Sequence, residues 1–134
     1  MGTSTAGIAH AAISAHILGK PMGYVRGSSK SHGRNNRIEG KLEKGDKVVV
    51  VEDLISTGGS SIEVVEALRE AGAEVLAVIS IFTYETAKAD KNFQDANVEK
   101  LSLCTISELI DTAVAENYVT SEEGKGIIEW LREI

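Results

Sequence analysis

Cysteine is nearly missing from this sequence: Cys104 is the single one in 134 residues. That excludes an internal disulfide and any metal site built on a cysteine cluster. No apolar run approaches the length of a membrane span, and no basic-then-apolar leader with a cleavage site opens the sequence, so the expected compartment is the reducing cytoplasm and no membrane partner is expected. Repeats and low-complexity tracts are also lacking. Acidic residues are absent from positions 1 to 38, which carry Lys20, Arg26, Lys30, Arg34 and Arg37 and all three histidines, His10, His16 and His32. That stretch is +5, whereas positions 39 to 134 are −11, within a total of −6. The acidic total argues against a nucleic-acid partner. The basic first third suits a small anionic ligand.

What is present is an ordinary globular composition, 43% hydrophobic and 25% charged, at the length of one domain over 1–134. Helical and strand patterns alternate. Ile8, Ala11, Ala12, Ala15 and Leu18 follow helical spacing, closed by Gly19 and Pro21. Met22 to Arg26 reads as a short strand. From Gly27 to Arg37 no residue is apolar, so a solvent-facing, mobile loop is expected over about 27–37. Val48 to Val51 are four β-branched residues in a row, a strand expected to be buried on both faces. A helix from about Ser60 to Ala71, a strand from Val75 to Phe82, a weaker helix from Glu85 to Gln94 and a strand from Val98 to Cys104 follow. Thr105 with Glu108 and Thr120 with Glu123 have capping-box spacing ahead of two more helices. Trp130 is placed in core or interface by its helical stripe, and Cys104 in the core. The fold class is α/β, a mainly parallel sheet flanked by helices. Gly2 to Gly7 has the composition of a loop, so no strand is expected ahead of the first helix.

One segment carries chemistry. The valine strand ends in adjacent carboxylates, Glu52 and Asp53, and runs into Leu54-Ile55-Ser56-Thr57-Gly58-Gly59-Ser60-Ser61 at a helix start. Ligands of open α/β sheets bind outside the carboxyl ends of the strands. Carboxylates there can accept from sugar hydroxyls, and backbone N–H groups at a helix start cradle phosphate. A serine cap and a glycine turn explain the loop equally well by composition alone. The two charges at the end of a buried strand tip the balance toward a sugar-phosphate site. The segment is neither a Walker A loop nor a dinucleotide fingerprint.

Those residues resemble the phosphoribosyl-diphosphate signature of the type I phosphoribosyltransferases: a hydrophobic strand, two acids, two mostly apolar positions and a Ser/Thr/Gly-rich turn. Three further stretches resemble the orotate branch of that family. Gly2 to Ala12 is similar to its pyrophosphate loop and following helix. Tyr24-Val25-Arg26 with Lys30-Ser31-His32-Gly33-Arg34 is similar to its basic strand end and catalytic loop, and Ile38-Glu39-Gly40 to the segment closing that loop.

The resemblance implies transfer of a phosphoribosyl group from phosphoribosyl diphosphate to orotate, giving orotidine monophosphate and pyrophosphate. The alternatives are a purine or uracil phosphoribosyltransferase, or a non-catalytic phosphoribosyl-diphosphate-binding regulator. In the implied site Glu52 and Asp53 bind the ribose hydroxyls, and Ser56, Thr57, Gly58, Gly59 and Ser60 cradle the 5-phosphate. Thr5, Ala6 and Gly7 lie against the pyrophosphate, which Arg26 also faces. Lys30 and His32 are the implied catalytic residues; by pattern alone they are a solvated surface feature. Ser56 is a candidate base contact, and Tyr84 is a candidate at a position whose base-binding role stays open. Mg2+ is expected to be held mainly through substrate oxygens, with no metal-ligand set of protein residues, and the implied assembly is a homodimer sharing the catalytic loop between subunits.

Departures exist. Gly27 and Ala6 stand where some members have lysines, and Phe82-Thr83-Tyr84-Glu85 stands where some have an orotate-contacting arginine. The family also carries a segment ahead of the pyrophosphate loop that supplies a core strand and a hood. The resemblance therefore implies a core lacking that strand and hood, with impaired turnover of this chain alone.

Overall fold

The structure, a computed structural model, describes residues 1–27 and 37–134. Among them the chain forms six strands and five helices. The strands are β1 (Gly2–Thr3), β2 (Gly23–Val25), β3 (Ile38–Gly40), β4 (Lys47–Ile55), β5 (Glu74–Thr83) and β6 (Glu99–Thr105). The helices are α1 (Ala6–Leu18), α2 (Gly59–Glu70), α3 (Ala87–Asp95), α4 (Ile106–Ala115) and α5 (Ser121–Arg132). The sheet runs β3-β2-β1-β4-β5-β6. Every neighbouring pair is parallel except β2 with β3. No described helix is long and apolar enough to cross a membrane.

Strand order places the helices. The chain leaves β1 through α1 toward β2, and leaves β4 through α2 toward β5 in the opposite direction across the sheet. Right-handed crossovers then put α1 on one face and α2 on the other. The α2 face holds the core: Val50, Val65, Leu68 and Val78 are wholly buried, with Val64 and Phe93 beside them. Alternate residues Val49, Val51, Ile79 and Ile81 line a groove on the α1 side. That side is only partly covered. The valine run is consequently buried on one face rather than both: Val50 is buried, while Val48, Val49 and Val51 are half-buried.

The ends of the helices follow the sequence closely. Both capping boxes form, with the Thr105 and Thr120 hydroxyls accepting from the Glu108 and Glu123 N–H groups while each glutamate accepts from its threonine's N–H. Gly19 ends α1 in the left-handed region.

Other expectations change. Gly2–Thr3 form a strand rather than a loop, paired parallel with both β2 and β4, and the Val51 N–H donates to the Met1 carbonyl at 2.8 Å. Glycine-rich composition concealed it because glycine has little strand propensity. The glycines serve close packing: a Cβ on Gly7 would collide with the Val51 carbonyl oxygen, so only glycine lets α1 start against β4. Ile38–Gly40 form an antiparallel edge strand on β2. Trp130 is 61% exposed, while its neighbour Leu131 is the residue α5 buries. Cys104 is half-buried at the end of β6.

Two alanine substitutions separate packing from propensity. Gly7→Ala is expected to lower unfolding free energy by about 2 kcal/mol in urea denaturation, because backbone must move. In Gly126→Ala the new Cβ meets nothing within 4 Å, and a gain of about 0.5 kcal/mol is expected from helix propensity.

Candidate active site

In a parallel sheet the carboxyl ends of the strands share one edge. Four described elements therefore converge. After β1 comes Ser4-Thr5 and the first turn of α1, beginning at Ala6-Gly7; the Ser4–Thr5 peptide is cis. After β2 come Arg26 and Gly27. At the end of β4 lie Glu52 and Asp53, followed by Ser56–Gly58 and the start of α2. After β5 comes Tyr84. β1 and β4 are the parallel neighbours whose crossovers set off in opposite directions across the sheet, and such a switch point opens a crevice between diverging loops.

The acidic pair is asymmetric. Glu52 is only 5% exposed and takes a hydrogen bond from the Ser61 hydroxyl of α2 at 3.0 Å. Its Oε1 also accepts from the Asp53 N–H at 3.1 Å. Burial first, then the hydrogen-bonded Asp53 carboxyl, pushes the Glu52 pKa up to about 7. Asp53 is more open and shifts the other way. The hydrogen bond from the Glu52 carboxyl holds it below the ordinary aspartate value, with a small electrostatic contribution from His10 on α1. Of the two, Glu52 is the carboxyl that favours its proton and Asp53 the one that favours ionisation, which is how crowded carboxyls avoid repelling each other.

The turn after β4 is held from outside. Gly58 has φ 78°, a left-handed value, and the Phe93 ring occupies the space where its side chain would go. The Thr86 hydroxyl donates to the Ser56 carbonyl at 2.6 Å, and the Asn92 amide donates to the Thr57 carbonyl at 2.8 Å. No acceptor for the Thr57 or Gly58 N–H groups is found among the described residues. They lie beside the positive end of α2, an arrangement suited to an oxyanion.

The basic side is also ordered. The Gly27 N–H donates to Ser4 Oγ at 3.0 Å, and the Arg26 N–H donates to the Arg37 carbonyl at 2.7 Å. Arg26 pairs with Glu39 at 3.3 Å and Arg37 with Glu63 at 3.7 Å. Arg26 and Arg37 therefore meet beside the loop after β1.

A phosphoribosyl transferase domain model matches residues 1–117. The chain belongs to the phosphoribosyl transferase family. Within that family it is 54% identical over 129 residues to an orotate phosphoribosyltransferase of Staphylococcus saprophyticus, covering 96% of this chain and 64% of that relative. It is 54% identical over 131 residues to the orotate phosphoribosyltransferase of Listeria innocua, covering 98% of this chain and 63% of that one. The crystal structure of an orotate phosphoribosyltransferase from Aeropyrum pernix superposes with a TM-score of 0.74 at 32% identity, covering 83% of this chain and 62% of that one. The chain thus spans somewhat under two thirds of the length of these relatives.

Of the residues singled out from sequence, Thr5, Ala6, Gly7, Arg26, Glu52, Asp53, Ser56, Thr57, Gly58, Gly59, Ser60 and Tyr84 all lie on this edge of the phosphoribosyl transferase fold. Lys30 and His32 lie outside the described residues, as does most of the stretch expected to form a mobile loop. Tyr84 packs its ring edge-on against Phe82, with centroids 5.3 Å apart, and its N–H donates to the Ile55 carbonyl. Sequence reasoning placed Ser61 at the helix start but missed its bond to Glu52, and it missed Thr86 and Asn92. Ser61 had a signal: it lies nine residues after Glu52, on the first turn of the helix that packs back on β4.

The shared proton makes stability depend on pH with a definite sign. The Glu52 pKa is raised on folding, so the folded chain holds the proton more firmly than the unfolded chain. Stability therefore falls as pH rises from about 4.5 to about 7 and levels off above that. The depressed Asp53 acts in the opposite sense, its contribution being lost only as pH falls below 3.8. In Glu52→Gln the amide imitates the protonated acid. Its melting temperature relative to wild type should rise by about 5 °C between pH 5 and pH 8. An offset equal at both pH values would show that Glu52 does not hold the proton.

Proposed function

We propose that the chain carries the transfer of a phosphoribosyl group from phosphoribosyl diphosphate to orotate, yielding orotidine monophosphate and pyrophosphate. The observation that carries this reading is the convergence, on one sheet edge, of an ionised carboxylate, a helix-start anion cradle and a basic strand end. Similarity to relatives named for orotate selects the base.

Each element then has a role. Thr57, Gly58, Gly59 and Ser60, with Ser56, hold the 5-phosphate through N–H and hydroxyl donors. Asp53 accepts hydrogen bonds from the ribose hydroxyls, and Glu52 adds a neutral partner beside it. Thr5, Ala6 and Gly7 present the start of α1 to the diphosphate, with Arg26 opposite. The bond from ribose C1 to the diphosphate oxygen breaks with its electron pair leaving on pyrophosphate, and the bond from C1 to the orotate nitrogen forms. The sugar ring gains cationic character, which Asp53 stabilises. The leaving group gains negative charge, which Arg26 and the cations Lys30 and His32 stabilise. Ser56 and Tyr84 are proposed to contact the base.

A magnesium ion suits this donor set. The described residues hold no cluster of three or more ligating side chains, but Asp53 is ionised and adjacent to where phosphate oxygens would lie, and Mg2+ prefers one or two carboxylates with substrate oxygens and water. Bound with the diphosphate, the ion would neutralise part of the leaving group's charge. The reading extends to a cytoplasmic homodimer, supported by the resemblance of Tyr24 to Arg34 to a loop shared between subunits and by a single unpaired cysteine.

The test is product formation from phosphoribosyl diphosphate with orotate, uracil, adenine and hypoxanthine in parallel. Orotidine monophosphate alone is expected. A purine or uracil nucleotide in its place overturns the choice of base, and binding of phosphoribosyl diphosphate with no product from any base, even when the family's preceding segment is joined to the chain, favours a regulator. Lys30→Ala should lower the rate of the orotate reaction about 100-fold, and an unchanged rate would remove that residue from the chemistry.

A further inference from the structure

The turn after β4 is held in position by side chains at the start and along the length of α3. We propose that Thr86 and Asn92 are positioning residues that aim the N–H groups of the turn after β4 at the 5-phosphate. This rests on the sugar-phosphate reading of the site given above.

Three consecutive residues of the turn are gripped from α3. Thr86 is 2% exposed and caps that helix. Its hydroxyl has one proton and two lone pairs. It accepts from the Ala89 N–H at 3.1 Å and spends its proton on the Ser56 carbonyl at 2.6 Å. Asn92 sits two turns into α3 and donates to the Thr57 carbonyl at 2.8 Å. That contact fixes which end of the amide faces the turn, since only the NH2 can donate. Phe93, 2% exposed, fills the space beside Gly58.

The consequence follows from the planar peptide. In a trans peptide the carbonyl of one residue and the N–H of the next point in opposite directions. The peptides after Ser56 and Thr57 are both trans. Drawing the Ser56 carbonyl toward Thr86 therefore turns the Thr57 N–H away from α3. Drawing the Thr57 carbonyl toward Asn92 does the same for the Gly58 N–H. These are the two N–H groups without a described acceptor.

The brace is itself anchored. The Arg69 guanidinium of α2 donates to the Ala96 and Asn97 carbonyls at 2.6 and 2.9 Å, clamping the far end of α3. The Tyr84 N–H to Ile55 carbonyl bond clamps the near end. Donors fixed before the ligand arrives cost no reorganisation on binding. Turns with freely rotating peptides could as readily present carbonyl oxygens, which repel phosphate.

Equilibrium binding to the 134-residue chain tests this with two probes. Ribose 5-phosphate reads the cradle, and inorganic pyrophosphate reads the side formed by Thr5–Gly7 and Arg26. Asn92→Ala keeps α3 helical, since alanine is the better helix former, and a melting curve verifies folding. It is expected to weaken ribose 5-phosphate about tenfold while pyrophosphate changes less than twofold. Thr86→Val should behave likewise, and Thr86→Ser, which retains the hydroxyl, should recover most of the affinity. Equal loss of both probes would make α3 a merely structural support and overturn the proposal. So would wild-type affinity for ribose 5-phosphate in both Asn92→Ala and Thr86→Val. If the wild-type chain binds neither probe, the sugar-phosphate reading itself fails and the positioning role falls with it.

Discussion

The parallel neighbours β1 and β4 send their crossovers in opposite directions across the sheet, and the rest of the structure depends on that constraint. Two adjacent parallel strands send their connections to opposite faces of the sheet, so their carboxyl ends cannot be bridged by a common loop. The crevice is a product of topology before any site residue is considered. Close packing then brings its two walls together. Gly7 rests on the Val51 carbonyl, which lets the start of α1 stand within one strand spacing of the acids on β4. A larger residue there would separate the two helix starts that the proposed ligand must bridge.

Electrostatics at this crevice oppose stability. Burying Glu52 against α2 disfavours its charge and raises its pKa to about 7. A proton there lets Asp53 stay ionised next door. A carboxylate pair that shares a proton offers both a donor and acceptors to a polyol, whereas two neutral amides would offer no charge to a developing cation. The crevice therefore gives up some stability at neutral pH for a carboxylate charge at its edge, as functional sites commonly do.

Sequence patterns disclosed the fold where local rules govern it. The capping boxes at Thr105 and Thr120, the left-handed Gly19 and the β-branched run of β4 formed nearly as spaced. The acids and the glycine turn were legible because charge at the end of an apolar strand is conspicuous. β1 was illegible because its residues were chosen for closeness, and two residues give no periodicity to detect. Trp130 stays out of the core of this chain because Leu131 beside it takes the buried stripe. Thr86 and Asn92 lie some thirty residues from the turn they hold, and nothing local marks a threonine cap as serving two masters. The similarity to relatives named orotate phosphoribosyltransferase agrees with the motif reading, and the proposed base rests on it, since no described side chain singles one out.

In the proposed complex one anionic sugar bridges the starts of α1 and α2 at the β1–β4 crevice. Backbone amide NMR shifts on titration with phosphoribosyl diphosphate test it most directly. The Thr5–Gly7 and Thr57–Ser60 amides are predicted to shift together with a single dissociation constant. Shifts confined to one of these groups, or centred on the α4–α5 surface, would contradict it.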